Sequence, residues 1–236
     1  MVLKMSPPAP DPPTERSIKV AAYVVGGIVA SATIAVIVVI PEAVRFHAKG
    51  PPNTGHDALA CSDCHKDAPG TMRQQLQAKV QFWLGFRATD AVFGHTPVGN
   101  EQCTACHARD QDSHPVHRFL EPKFSKARAE LGVKSCVSCH REHKGVRATM
   151  IPTACATCHQ NLELKLDPLD VSHRKLVARK EWTSCLGCHD FHGNHNREIQ
   201  TRVDAAYPTS TIIDYLAGGA SPYGGDMKYP TKRGAQ

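Results

Sequence analysis

The ten cysteines of this 236-residue chain fall into five pairs, and each pair is followed directly by a histidine. The five units are Cys61-Ser-Asp-Cys64-His65, Cys103-Thr-Ala-Cys106-His107, Cys136-Val-Ser-Cys139-His140, Cys155-Ala-Thr-Cys158-His159 and Cys185-Leu-Gly-Cys188-His189. No cysteine lies outside them. Any fold must therefore present five local units of two thiols and one imidazole, all within about 130 residues of chain.

C-x-x-C-H is the attachment signature of c-type haem. Cys61, Cys64, Cys103, Cys106, Cys136, Cys139, Cys155, Cys158, Cys185 and Cys188 are expected to form thioethers to porphyrin vinyl groups. His65, His107, His140, His159 and His189 follow as the proximal iron ligands. The expected cofactor is five covalently attached haem c. Other chemistries fit less well. Zinc ribbons use C-x-x-C pairs in sets of two and need no following histidine. Disulfides suit an oxidising compartment but leave the repeated histidine unexplained. Iron–sulfur clusters use other spacings.

Nine further histidines can supply second axial ligands: His47, His56, His95, His114, His117, His143, His173, His192 and His195. Their positions near the motifs favour His56, His95, His117, His143 and His173. Only one of His114 and His117, which flank Pro115, is expected to ligate. Met72, Met150 and Met227 are the alternative thioether ligands, fewer and less well placed.

Composition agrees with a cofactor-filled interior. Aromatic residues make up 6% of the chain and the mean hydropathy is −0.33, so side chains alone would build a thin core. The intervals between successive first cysteines are 42, 33, 19 and 30 residues, which match no solenoid period. Proline and glycine punctuate the region. The expected fold is mostly irregular, with short α-helices, little β structure and a haem-packed domain behind one N-terminal transmembrane helix. Thr71–Phe86 is expected to be helical, with Met72, Leu76, Val80 and Trp83 or Leu84 on one face, packed on a haem or lying on a membrane surface. A shorter helix is expected over Lys123–Leu131.

The apolar segment Val20–Pro41 carries no charge and would span roughly 33 Å as a helix, enough for the ~30 Å hydrocarbon core. It reads as an uncleaved signal anchor rather than a cleaved signal peptide, being long and lacking an A-x-A site after Ile40. Ala22, Gly26 and Ala30 form a small-residue stripe suited to a partner helix. The few flanking cations do not set orientation. Thioether attachment outside the cytoplasm does, placing the haem domain on the periplasmic side of the inner membrane. The expected organisation is residues 1–19 as a cytoplasmic tail, 20–41 as anchor, 42–196 as pentahaem domain, and 197–236 as an extended tail rich in turns, resting on a partner subunit.

Across residues 56–195, the closely spaced C-x-x-C-H motifs with histidines at short range resemble the class III, low-potential multihaem cytochrome c family. The resemblance implies bis-histidine ligation, little secondary structure and reversible electron transfer. One anchor with five motifs also looks like the pentahaem subunits of alternative complex III enzymes. The layout is similar to anchored tetrahaem quinol dehydrogenases, but a fifth motif and the gap of about twenty residues between anchor and first motif depart from them.

The formal charge of +6 is no sign of nucleic-acid binding, because five haems would bring about ten propionates. Lys123, Lys126, Arg128 and Lys134 are expected to pair with those propionates or steer a redox partner. The expected function is electron transfer between a quinol-linked membrane redox complex and a periplasmic donor or acceptor, with no catalysis by the chain itself. Expected partners are integral membrane redox subunits, other cytochromes and the lipid bilayer. The alternative is a multihaem reductase subunit with one open haem acting on a nitrogen or sulfur oxyanion.

Overall fold

A computed structural model describes residues 14–39 and 49–232 of the chain. Residues 1–13 of the expected cytoplasmic tail, the end of the expected anchor at 40–41, and His47 lie outside the described residues. Two compact units separate at the boundary between residues 49 and 50.

The first unit holds α1, Glu15–Val39. It starts at Glu15, not Val20, because Thr14 begins the helix for it. The Thr14 hydroxyl accepts from Ser17 N at 3.4 Å, and Lys19 pairs with Glu15 one turn away at 2.6 Å. These polar first turns extend the helix ahead of its charge-free stretch. Residues Glu15–Val36 are long and apolar enough to cross a membrane.

The second unit is a succession of short helices joined by irregular chain: α2 Cys61–Cys64, α3 Met72–Trp83, α4 Asn100–Cys106, α5 Val116–Phe119, α6 Ser125–Leu131, α7 Cys136–Cys139, α8 Cys155–His159, α9 His173–Ala178, α10 Cys185–Cys188 and α11 Thr209–Ala217. Extended pairing among the described residues is limited to two isolated bridges, Asp67 with His95 and His195 with Met227. The expectation of short helices, irregular chain and little β structure therefore holds.

Every C-x-x-C unit forms a single helical turn. The histidine N–H closes it onto the first cysteine carbonyl, at 2.8 Å for His65 and His189 and 2.9 Å for His107 and His140. Positions i, i+3 and i+4 share one side of a helix, so the turn gathers both thiols and the imidazole. α3 is shorter than expected at both ends. Thr71 and Gln74 form a reciprocal capping box, and Gly85, at φ +77, follows its last turn. Its apolar residues Met72, Leu76, Trp83 and Leu84 are exposed. The inward side is anchored instead by buried Gln75, which donates to Ala68 O and Gly70 O and accepts from Gly94 N. The helix expected over Lys123–Leu131 divides into a 3-10 turn, Pro122–Phe124, and α6.

Buried apolar residues are few: Ala68, Ala91, Val133, Leu186, Cys188, Ile212 and Tyr223 among those described. Leu186, Ile212 and Tyr223 form one cluster, with Phe191, Tyr207, Tyr215 and Leu216 packed around it. This cluster corrects the expectation of an extended C-terminal tail. Helix α11 folds back onto α10, the turn of the fifth motif, and Ile212 is fully buried there. Pro208 precedes the helix, Gly218 ends it at φ +118, and Tyr223 Oη donates to Leu186 O at 2.6 Å. Gly187 is needed because a Cβ there would lie 2.6 Å from Tyr207 O.

Candidate metal centre

Each motif histidine has another histidine ring about 6 Å away, and His65 has two, His143 and His95. Ring centres lie 6.2 Å apart for His65 and His143, 6.0 Å for His107 and His56, 6.1 Å for His140 and His192, 6.1 Å for His159 and His114, and 6.1 Å for His189 and His173. Two imidazoles on opposite sides of one metal, each bonded at about 2 Å with its ring centre about 1 Å beyond the nitrogen, stand about 6 Å apart. Stacked rings in contact would be closer. His114 on Phe191 shows this, at 4.2 Å and 16°. Five different local structures thus hold a pair of rings at about one distance, wider than stacking contact.

The protonation of the facing rings points the same way. His56 Nδ1 meets Glu142 Oε1 at 2.8 Å, and His114 Nδ1 meets Phe191 O at 2.6 Å. His143 Nδ1 meets Gly50 O at 3.1 Å, and His173 Nδ1 meets Asp167 Oδ1 at 2.9 Å. His192 Nδ1 meets both oxygens of Asp112 at 3.0 Å. Carbonyls and carboxylates only accept, so in all five rings Nδ1 is the donor, and Nε2 is the nitrogen left for a metal. Metal-bound histidines are oriented in this manner. His140 does the same on the motif side, donating from Nδ1 to Arg147 O at 2.8 Å. Burial pushes His107, His114, His140 and His189 below the ordinary histidine pKa, which favours the neutral, ligating form.

Of the second ligands expected from sequence, His56, His143 and His173 each face a motif histidine across this gap. His117 does not. It is exposed on α5, and His114 takes the place opposite His159. His95 comes 5.8 Å from His65 at 72°, but it is exposed and its Nε2, the atom a metal would need, points to Asp67 at 3.7 Å. His143 is the better-oriented partner of His65. His192, absent from the expected set, faces His140. His195 is buried and held at both nitrogens, by Asp190 at 2.8 Å and Ser221 at 3.4 Å, and the ring beside it, at 5.3 Å, is that of Tyr223.

The surroundings fit a porphyrin. All ten thiols are free. A cavity of 260 Å³ lies beside His173, Cys188 and His189, walled by Leu164, Leu169 and Ile199. Arg109 Nε and both terminal nitrogens of Arg197 are buried without hydrogen-bond partners, a costly state that acidic substituents would relieve. Sequence reasoning passed over both arginines. Arg128, expected to meet propionates, instead donates to Phe119 O at 2.6 Å. Lys123 pairs with Glu121 at 2.9 Å. The turns of motifs two and three are neighbours, Cys136 N donating to Asn100 Oδ1 of α4 at 2.9 Å, and the 3-10 turns that lead into motifs four and five, Pro152–Ala154 and Trp182–Ser184, pack on each other. Groups of three or more His, Cys, Asp or Glu able to hold a bare metal ion are not found among the described residues. A porphyrin iron asks the protein for two axial ligands only. No family model, curated protein or solved structure matches the chain.

Proposed function

We propose that this chain is a membrane-anchored pentahaem c-type cytochrome, related to the class III-type multihaem cytochromes. It would transfer electrons between a quinol-linked redox complex of the inner membrane and a periplasmic donor or acceptor. The observation that carries the reading is the pairing itself: one histidine, with Nδ1 anchored, about 6 Å from each of the five motif histidines. Haem c, when bound, supplies a one-electron iron couple.

The residues of the chain hold and tune that couple. Ten cysteines fix the five groups. His65, His107, His140, His159 and His189 would hold the iron together with His143, His56, His192, His114 and His173 respectively. Three of the five second ligands donate to carboxylates, Glu142, Asp112 and Asp167, which strengthens the imidazole as a donor and favours the oxidised state. Contact between α4 and α7, and between the 3-10 turns that lead into motifs four and five, supports close neighbours at motifs two and three and at motifs four and five. Helix α1 supports attachment to the bilayer, and the chemistry of thioether formation supports a periplasmic haem region.

A reductase would need one iron with an open or displaceable position; a second histidine ring beside each motif histidine favours the electron-transfer reading. The test is denaturing intact-mass analysis of the full chain made in a host that matures c-type cytochromes. Five added haem masses are expected. A chain carrying zinc, or fewer than five haems with the remaining cysteines in disulfides, overturns the proposal.

A further inference from the structure

Two of the candidate second ligands belong to one interlocked unit. Strap one is Gly50-Pro51-Pro52-Asn53, running to His56. Strap two is Arg141-Glu142-His143-Lys144-Gly145. Each strap carries one ring and supplies the acceptor for the other strap's ring. Gly50 O on strap one accepts from His143 Nδ1 at 3.1 Å, and Glu142 on strap two accepts from His56 Nδ1 at 2.8 Å. The rings serve different motifs, since His143 faces His65 and His56 faces His107.

Asn53 is the pin between the straps. It is 3% exposed, and all its polar groups are used. Its Nδ2 donates to Arg141 O at 3.0 Å, and its Oδ1 accepts from Lys144 N at 3.2 Å. Its backbone N–H donates to Glu142 Oε2 at 3.2 Å, and its carbonyl accepts from His56 N at 2.9 Å. Donor to carbonyl and acceptor from amide fix the orientation of the side chain. The fit is tight elsewhere too. A Cβ on Gly50, at φ +151, would lie 2.4 Å from His143 O, and one on Gly145, at φ +66, would lie 3.1 Å from Pro51. His143 itself sits at φ +62, a geometry that a residue with a Cβ keeps only when its surroundings impose it.

We propose that Asn53 is a positioning residue for two metal ligands at once, so that the sixth ligands at motifs one and two are held or lost together. This rests on the haem reading above. Losing the side chain leaves the backbone bonds to Glu142 and His56 in place but unties strap two at Arg141 O and Lys144 N, on either side of Glu142 and His143. The strap can then relax His143 from its left-handed backbone and carry Glu142 away from His56. The other three pairs rely on Asp112, Phe191 and Asp167, away from the clasp.

The experiment compares Asn53→Ala with the parent in the full, haem-loaded chain, in a His95→Ala background so that the ring near His65 cannot substitute for His143. Covalent haem content is read first. Fewer than five haems in the parent refutes the haem reading rather than the clasp. With five present, Asn53→Ala is expected to turn two of the five ferric haems high-spin by EPR, and added imidazole should return both to low-spin. His143→Ala and His56→Ala should each change one. If Asn53→Ala is poorly produced, Glu142→Ala and Glu142→Gln replace it. Alanine should release His56, and glutamine, which keeps an acceptor for Nδ1–H, should hold it. Five low-spin haems in Asn53→Ala, or a change confined to one, overturns the coupling, as does identical behaviour of the two Glu142 variants.

Discussion

Removing the charge of Asp112 should raise the potential of one haem and leave the others in place. Both Asp112 oxygens stand 3.0 Å from His192 Nδ1, and the side chain is 12% exposed. Burial pushes its carboxyl up, but the hydrogen bond from His192, the amide of His114 and nearby Arg109 outweigh this and hold it below the usual carboxylate pKa. It is therefore ionised at neutral pH. Across the ring and a metal–nitrogen bond, the carboxylate lies about 7 Å from an iron between His140 and His192. At an effective dielectric of about 20, Coulomb's law gives about 2.4 kcal/mol, or about 100 mV for one electron. Arg109, 3.7 Å from the carboxylate, already offsets part of this charge, so Asp112→Asn should raise one midpoint by about 50–100 mV. Asparagine can still accept from Nδ1, so the haem should stay low-spin. A spectroelectrochemical titration measures the shift. Five midpoints all within about 20 mV of the parent would refute the placement of Asp112 behind a metal ligand, because even half the Coulomb figure exceeds that.

His114→Ala should turn one haem high-spin in the ferric EPR spectrum while His117→Ala leaves all five unchanged; the reverse would return the ligand to His117. The ring planes cross at 79° for His114 and His159 but at 25° for His65 with His143 and for His140 with His192, so the parent should show at least two distinct low-spin signals, and His114→Ala should remove the one from crossed planes. Ile212→Ala should destabilise the C-terminal cluster by about 2–4 kcal/mol, read by chemical denaturation, whereas a change below about 0.5 kcal/mol would mean the helix is not packed on the fifth motif. A chain begun at residue 49 and exported separately should leave the membrane fraction with its haem spectrum intact; retention in the membrane would show that α1 is not the sole attachment.

The motifs were legible because their chemistry is local: two thiols and an imidazole within one helical turn need no tertiary information. The pairing of rings was not. His143 lies three residues after His140 yet faces His65, and His56 precedes Cys61 yet faces His107. His192, three residues after His189, faces His140 some fifty residues earlier, so proximity to a motif does not identify the motif served. The choice of His114 over His117 depends on Phe191, which stacks on the ring and accepts from its Nδ1, and Phe191 is far away in sequence. The C-terminal helix was obscured by the Tyr, Pro and Gly turns on either side of it. Ile212, Tyr215 and Leu216 carry its apolar face, but Thr209-Ser210-Thr211 and Ile212-Ile213 are weak helix formers, and packing on Leu186 decides the matter.

Quantitative EPR of the fully oxidised, membrane-extracted chain tests the account most directly. Five bis-histidine sites predict low-spin ferric intensity equal to five spins per chain and no high-spin component, with nitrite and sulfite leaving the spectrum unchanged. A high-spin signal amounting to one haem or more in the unmodified protein would contradict it.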